Sequence, residues 1–204
     1  MPGLGNAVDA HTTGFQSLNA ATGVWNGRTL VAGSGISITN TDGTVGNPTI
    51  AAVAGTTGFY AYKSAASANV TGANLNALVI FDTEVSDPGA NYNNATGIYT
   101  APSTGIYFFS CNVGFSSING LANRGTTDFF VNGGARIYGN YQNNFGVIRD
   151  VANQLIMGTC AFIDLTAGDT VNVEVNVSGM AGNTVGLLGA ANPRETAFGG
   201  FRVY

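Results

Sequence analysis

The stretch DTVNVEVNV, residues 169–177, sets the tightest limit on how this chain can fold. Its valines at 171, 173, 175 and 177 recur at every second residue, and an extended strand puts such a set on one face. Asn172, Glu174 and Asn176 then share the other face. One side of the strand is dry and the other wet, as in an antiparallel sheet packed on a single core. The same texture runs from residue 58 onward. FYAYKS, LVIFDTEV, GIYTA, GIYFFSCNVGFS, TDFFVNG, ARIYGN, NQLIMGTCAFIDL, TVGLLG and AFGGFRVY are all short and rich in β-branched or aromatic residues. Between them sit Asp87-Pro88-Gly89, Thr96-Gly97, Asn132-Gly133-Gly134 and Ala167-Gly168-Asp169, which are turn formers. About ten short strands at this spacing predict an all-β sandwich or jelly roll.

The first 55 residues differ. Residues 1–27 carry isolated apolar side chains (Val8, Phe15, Leu18, Val24, Trp25) without a steady period, and a stretch of that length inside a folded protein is expected to dock on something. Phe15, Leu18 and Trp25 are the candidate anchors, Trp25 also being a candidate platform for ligand stacking. Residues 28–53 alternate at ISIT and again at TIAAV, with NTDGTVGNP between them, which predicts a β-hairpin with a long loop. The chain is therefore expected to divide into an N-terminal arm with a hairpin, residues 1–55, and a β-rich head, residues 58–204.

Charge narrows the function. Only 9% of residues are charged and the net charge is -4. The seven basic residues are scattered, so no nucleic-acid footprint is present. No apolar run approaches the 18 or so residues of a membrane helix. The N-terminus lacks the basic and apolar regions of a secretory signal. With no such signal, Cys111 and Cys160 are expected to be free, buried thiols, and the sequons at Asn69, Asn94 and Asn176 coincidental. Sparse charge also fits a surface covered by partner subunits. One strand says this directly. In GIYFFSCNVGF, Tyr107, Phe109, Cys111, Val113 and Phe115 form one apolar face, yet Ile106 and Phe108 on the opposite face are apolar too. FGGFRVY at the C-terminus, with Phe201 and Val203, reads the same way. Such an outer face needs a second subunit to cover it.

Catalysis finds little material. The one histidine, His11, lies in the irregular arm. Asp82 and Glu84 alternate as an acid–base pair would, but rim positions on a sheet are the plainer reading. Asp164 and Asp169 flank a turn where a carboxylate caps backbone N–H groups. Gly33–Gly35 opens no helix and is no phosphate loop. No catalytic, cofactor or metal residues are expected. The best candidate ligand loop is IYGNYQNNFG, residues 137–146, where Tyr138, Tyr141 and Phe145 alternate with amides, a mixture suited to glycans. The competing reading is a strand–turn–strand whose tyrosines pack on the sheet.

Phe81-Asp82, Asn91, Tyr92, Asn93, Thr96-Gly97, Tyr99-Thr100, Pro102, Gly105, Tyr107 and Phe109, followed by LTAGDTVNVEV and the closing FGGFRVY, resemble the motifs of C1q-like domains within the TNF-like jelly rolls. The likeness covers about residues 58–204, with the usual Asn-x-Tyr spacing compressed at Asn91-Tyr92. It implies a ten-stranded jelly roll assembling as a homotrimer, with one sheet of each subunit lining the threefold axis, and it brings no catalytic residues. Ile106, Phe108, Phe201 and Val203 would then face the neighbouring subunit. RTLVAGSGISITNTDGTVGNPTI, residues 28–50, resembles a segment of bacteriophage tail fibres and other phage surface proteins. Together the two resemblances imply a non-enzymatic virion protein made in the host bacterial cytoplasm. The expectation is a trimeric capsid decoration, a cement or head fibre docked on the major capsid protein. A tail fibre or receptor-binding module recognising host surface glycans is the alternative, and a polysaccharide hydrolase a more distant one.

Overall fold

A computed structural model describes residues 15–19, 24–33, 36–41, 47–52, 57–134 and 136–204, with side chains for all of these except 15–19, 24–28, 52, 137 and 138. His11 and the side chains of Phe15, Leu18, Trp25 and Tyr138 lie outside the described residues. The chain divides into two compact units, Met1–Gly55 and Thr56–Tyr204.

The first unit holds two hairpins. β1 (Phe15–Asn19) pairs antiparallel with β2 (Val24–Arg28), Leu18 opposite Trp25. β3 (Ile36–Thr39) pairs with β4 (Thr49–Ala52), Ile38 opposite Ile50, as ISIT and TIAAV predicted. The β1–β2 pair corrects the expectation of an unpatterned arm. Ladder hydrogen bonds satisfy backbone groups whatever the side-chain period, so a short hairpin there left no apolar alternation to read.

The second unit is a sandwich of two antiparallel sheets. Its strands are β5 (Phe59–Tyr62), β6 (Ser67–Thr71), β7 (Ala77–Leu78), β8 (Thr83–Ser86), β9 (Tyr92–Asn93), β10 (Ile98–Thr100), β11 (Gly105–Ser116), β12 (Arg124–Val131), β13 (Arg136–Asn143), β14 (Leu155–Leu165), β15 (Thr170–Ser178), β16 (Val185–Leu187) and β17 (Ala197–Arg202). A single helical turn, α1 (Phe145–Ile148), follows β13. One sheet runs β13-β12-β15-β10-β9 with β7 also on β15; the other runs β6-β16-β11-β17-β5-β8 with β14 on the free side of β11. Short added strands at the sheet edges raise the count above the ten expected.

The core lies between the sheets. Val171, Val173, Val175 and Val177 of β15 are fully buried, as are Tyr107, Phe109, Val113 and Phe115 of β11. At one end the filling is aromatic. Phe59 stacks on Tyr92 and Tyr99 with centroids 4.9 and 4.8 Å away, and Phe198 meets Phe59 edge-on at 4.8 Å. Each buried phenol finds a partner for its polar tip, which lets the ring go inside. Tyr99 Oη donates to Thr57 O at 2.7 Å and Tyr107 Oη to Ser103 O at 2.6 Å. Tyr92 Oη donates to Phe81 O and accepts from Phe81 N, both at 3.2 Å. Burial pushes the Tyr92 and Tyr99 hydroxyls well above their ordinary pKa, so they stay neutral donors.

The turn into β10 explains the Thr96-Gly97 pair. Asn93 Oδ1 accepts from Ala95 N at 3.0 Å and Thr96 N at 3.2 Å, and Gly97 follows at φ 72°. A Cβ at position 97 would come within 2.9 Å of Val79 O. Both the left-handed backbone and the close approach therefore require glycine.

Phe198 touches Phe59, Phe81, Tyr92, Phe109 and Phe129 from the middle of this cluster. Phe198→Ala is expected to cost about 3–5 kcal/mol in chemical denaturation, as large-to-small changes in packed cores do.

Candidate functional site

The solvent side of the seven-stranded sheet is the first candidate surface. Alternation along β11 sends Tyr107, Phe109 and Cys111 inward and leaves Phe108 and Ser110 outward. Register then builds cross-strand rows. Phe201 of β17, Phe108 of β11 and Phe162 of β14 lie side by side, with ring centroids 5.7 and 5.2 Å apart. The next row holds Tyr60, Gly199, Ser110 and Cys160. Phe162 is 61% exposed, Phe201 51% and Val203 45%, while Ile106 and Phe108 are half-buried. Tyr60, Phe162 and Ile156 were not singled out in the sequence. A count of alternate residues along NQLIMGTCAFIDL would have found Ile156 and Phe162, because Met157, Ala161 and Ile163 go inside. Beside the row a cleft of about 200 Å³ is lined by Tyr60, Phe108, Cys111, Arg194 and Phe201. The Arg194 guanidinium sits 4.7 Å from the centroid of Tyr62 and 5.8 Å from that of Tyr60.

The segment expected to be a ligand loop is a strand. Residues 136–143 form β13, paired with β12 along its length, and α1 closes it. Tyr138 stands opposite Phe129 in that ladder. Tyr141 is half-exposed with the Arg124 guanidinium 5.8 Å above its ring. Phe145 needs correcting: it is fully buried, edge-on to Phe115 at 5.2 Å. Its ring occupies the space where a side chain at Gly125 would stand. It packs the sandwich end and faces no ligand.

The carboxylates act as loop staples. Asp82 Oδ1 accepts from Ser64 N at 2.8 Å and from the Thr83 hydroxyl at 3.1 Å. Burial alone would raise the Asp82 pKa, but the Ser64 and Thr83 hydrogen bonds and nearby Lys63 outweigh it and hold the group below the usual range. A general acid needs the opposite shift. Glu84 is exposed on β8. Asp169 accepts from the Asn132 amide at 2.8 Å and from Thr166 N at 2.7 Å, and these bonds, the Asn132 one first, lower its pKa as well. The capping role read from the sequence is thus realised at Asp169. Both cysteines are free. Cys111 is buried, its thiol pushed up by burial, whereas Cys160 is exposed, contrary to the expectation of two buried thiols. Among the described residues no three His, Cys, Asp or Glu side chains gather as metal ligands.

A two-sheet antiparallel sandwich with long inner strands, an aromatic end and a closing strand inside the sheet is a jelly roll of the C1q and TNF type. Residues 59–203 match the C1q domain, and the chain belongs to that family. Among solved structures, Eiger TNF from S. frugiperda is 12% identical and superposes with a TM-score of 0.54 over 74% of this chain and 94% of that one. The globular domain of zebrafish complement 1qA is 17% identical, with a TM-score of 0.48 over 72% of this chain and 98% of that one. Murine APRIL at pH 5.0 is 12% identical, with a TM-score of 0.50 over 72% and 98%. At these identities the likeness is one of fold. No curated protein sequence matches the chain. C1q domains are in general non-enzymatic binding or structural modules.

Asp82 and Asp169 are both held below their unfolded pKa. Their stabilisation is therefore complete above about pH 4 and is lost as pH falls through the lowered folded values. Urea midpoints are expected to hold steady from pH 7 to 5 and decline below about pH 4. The double variant Asp82→Asn/Asp169→Asn should start lower and decline less.

Proposed function

We propose that this chain is a structural protein of a bacteriophage virion, a homotrimer whose C1q-type head projects from the particle while residues 1–55 dock on it. The observation that carries the assembly is the Phe201–Phe108–Phe162 row. It lies outside a core that is already filled, next to exposed Tyr60 and Val203. Covering one exposed phenylalanine contributes about 1.5–3 kcal/mol, and a rotational assembly repeats that gain in every subunit. C1q kinship argues for a threefold arrangement with this sheet toward the axis. The bacteriophage assignment rests on the resemblance of residues 28–50 to phage fibre segments. Capsid decoration through the major capsid protein is the first reading of its place on the particle, since sparse charge fits a surface covered by other subunits. A tail-borne receptor-binding module is the second reading, favoured by the half-exposed Tyr141 beside Arg124.

Light scattering at micromolar concentration is expected to give three times the chain mass, and a stable monomer would overturn the assembly. Phe108→Asp and Phe162→Asp should each yield monomers. Cys160, two residues from Phe162 on the same face, supplies a second readout. Thiol reagents should modify it slowly in the trimer and at least about tenfold faster in those variants. Deleting residues 1–55 should leave a soluble trimer that no longer binds particles. Hundreds of copies per particle would place the protein on the capsid and a handful on the tail.

A further inference from the structure

On the other side of the sandwich, the solvent face of the six-stranded sheet carries a cavity of about 300 Å³. The alternation that turns the β15 valines inward turns Asn176 outward here, and β12 contributes Arg124, Thr126 and Asp128 to the same face. Asn76, Phe130, Arg136 and Tyr141 complete the walls.

Polar side chains on a solvent-facing sheet are normally wet, and Thr126, Asp128 and Asn176 are not. Thr126 is 2% exposed and Asp128 4%. Thr126 Oγ1, Asp128 Oδ1 and Arg124 Nε are buried and take no hydrogen bond among the described residues. Buried polar atoms are nearly always partnered, and each unmet one costs about 1–3 kcal/mol. Three of them around one cavity form a constellation prepared for a polar occupant. Their surroundings hold them still. Asp128 Oδ2 accepts from Arg136 Nη1 at 3.1 Å. The Asp128 carboxylate lies across Gly139, where the side chain of any other residue would displace it. Arg124 donates to Asn74 and, at 3.5 Å, to Asn176 Oδ1. The Asn176 amide donates to Asn76 Oδ1 at 2.9 Å, and the Asn76 amide to Glu174 Oε2 at 3.1 Å.

The chemistry selects the ligand. Of the lining groups Arg136 is paired with Asp128, and Glu174, just outside the lining and bonded to Asn76, offsets Arg124, so an anion gains little. An apolar ligand would leave the orphaned atoms unmet. A sugar ring has hydroxyls that both donate and accept, suiting Thr126 Oγ1, the Asp128 acceptor and the Arg124 donor together. Its C–H face matches the half-exposed Tyr141 ring. The volume lies at the lower end for ligand cavities, about 300–1,000 Å³. We propose that this cavity binds one ring of a neutral saccharide, free or as part of a glycan. The site deepens the receptor-binding reading, which rests on the same Tyr141 and Arg124, and requires neither the trimer nor a virion.

The test takes the full-length protein in its solution oligomeric state. It is probed on an array of immobilised neutral oligosaccharides (glucose, galactose, mannose, rhamnose and N-acetylhexosamine) beside sialylated and sulfated glycans. The same neutral sugars are titrated free by calorimetry. At least one neutral sugar is expected to bind. Tyr141→Ala and Thr126→Val should each weaken it about tenfold or more, one strong contact's worth, while the remote Val147→Ser leaves it unchanged. Tyr141→Ala alters a half-exposed ring, and circular dichroism and light scattering on the same sample show whether fold and mass are kept. Binding to immobilised and free sugar alike assigns a glycan ligand, and binding to free sugar alone assigns a soluble one. Binding to acidic glycans only, to none up to millimolar concentration, or undiminished in both variants would overturn the proposal.

Discussion

Strand β11 is apolar on both faces, and the rest of the head follows from that. It pairs with β14 from Gly105–Leu165 to Phe115–Leu155, and with β17 and β16 along its other side. That position makes it the spine of the seven-stranded sheet. Its inner side chains meet the β15 valines and close the core. Its outer side chain Phe108 meets Phe162 and Phe201, so hydrophobic area remains that no intramolecular packing removes. An outer apolar row on a central strand is costly to a monomer and useful to an assembly.

The two sheets therefore divide the work. The seven-stranded sheet turns aromatics outward, while the six-stranded sheet turns amides, threonine and charge outward over a face of equal regularity. The first suits contact with another protein surface. The second suits a small polar ligand, because its inventory is donors and acceptors with no net charge. The two displaced carboxyls, Asp82 and Asp169, are lowered by loop hydrogen bonds, which ties them to turn geometry.

Much of the fold was legible because strand alternation is local. Val171–Val177 and Tyr107–Phe115 declared their inner faces, and the Thr96-Gly97 turn declared its backbone conformation. The site was less legible. Phe145 looked like part of a ligand loop because it lies among amides and tyrosine. Nothing local says that its ring fills the space above Gly125, twenty positions earlier. Tyr141 kept its exposure because it sits opposite Thr126 on the outer face. Both cysteines were expected to be buried, but Cys160 is outward on β14 and only Cys111 is inward, on β11.

The sequence by itself determined the period of each strand, the turns between strands and the family, since each depends on neighbours a few positions apart. Only the tertiary structure decided which outer residues become neighbours. Cross-strand register set Phe201, Phe108 and Phe162 in one row, and Arg124, Thr126, Asp128, Tyr141 and Asn176 around one cavity. The physical reason is that alternation specifies a side, whereas a site requires a partner, and partners in a sheet come from strands tens of residues apart.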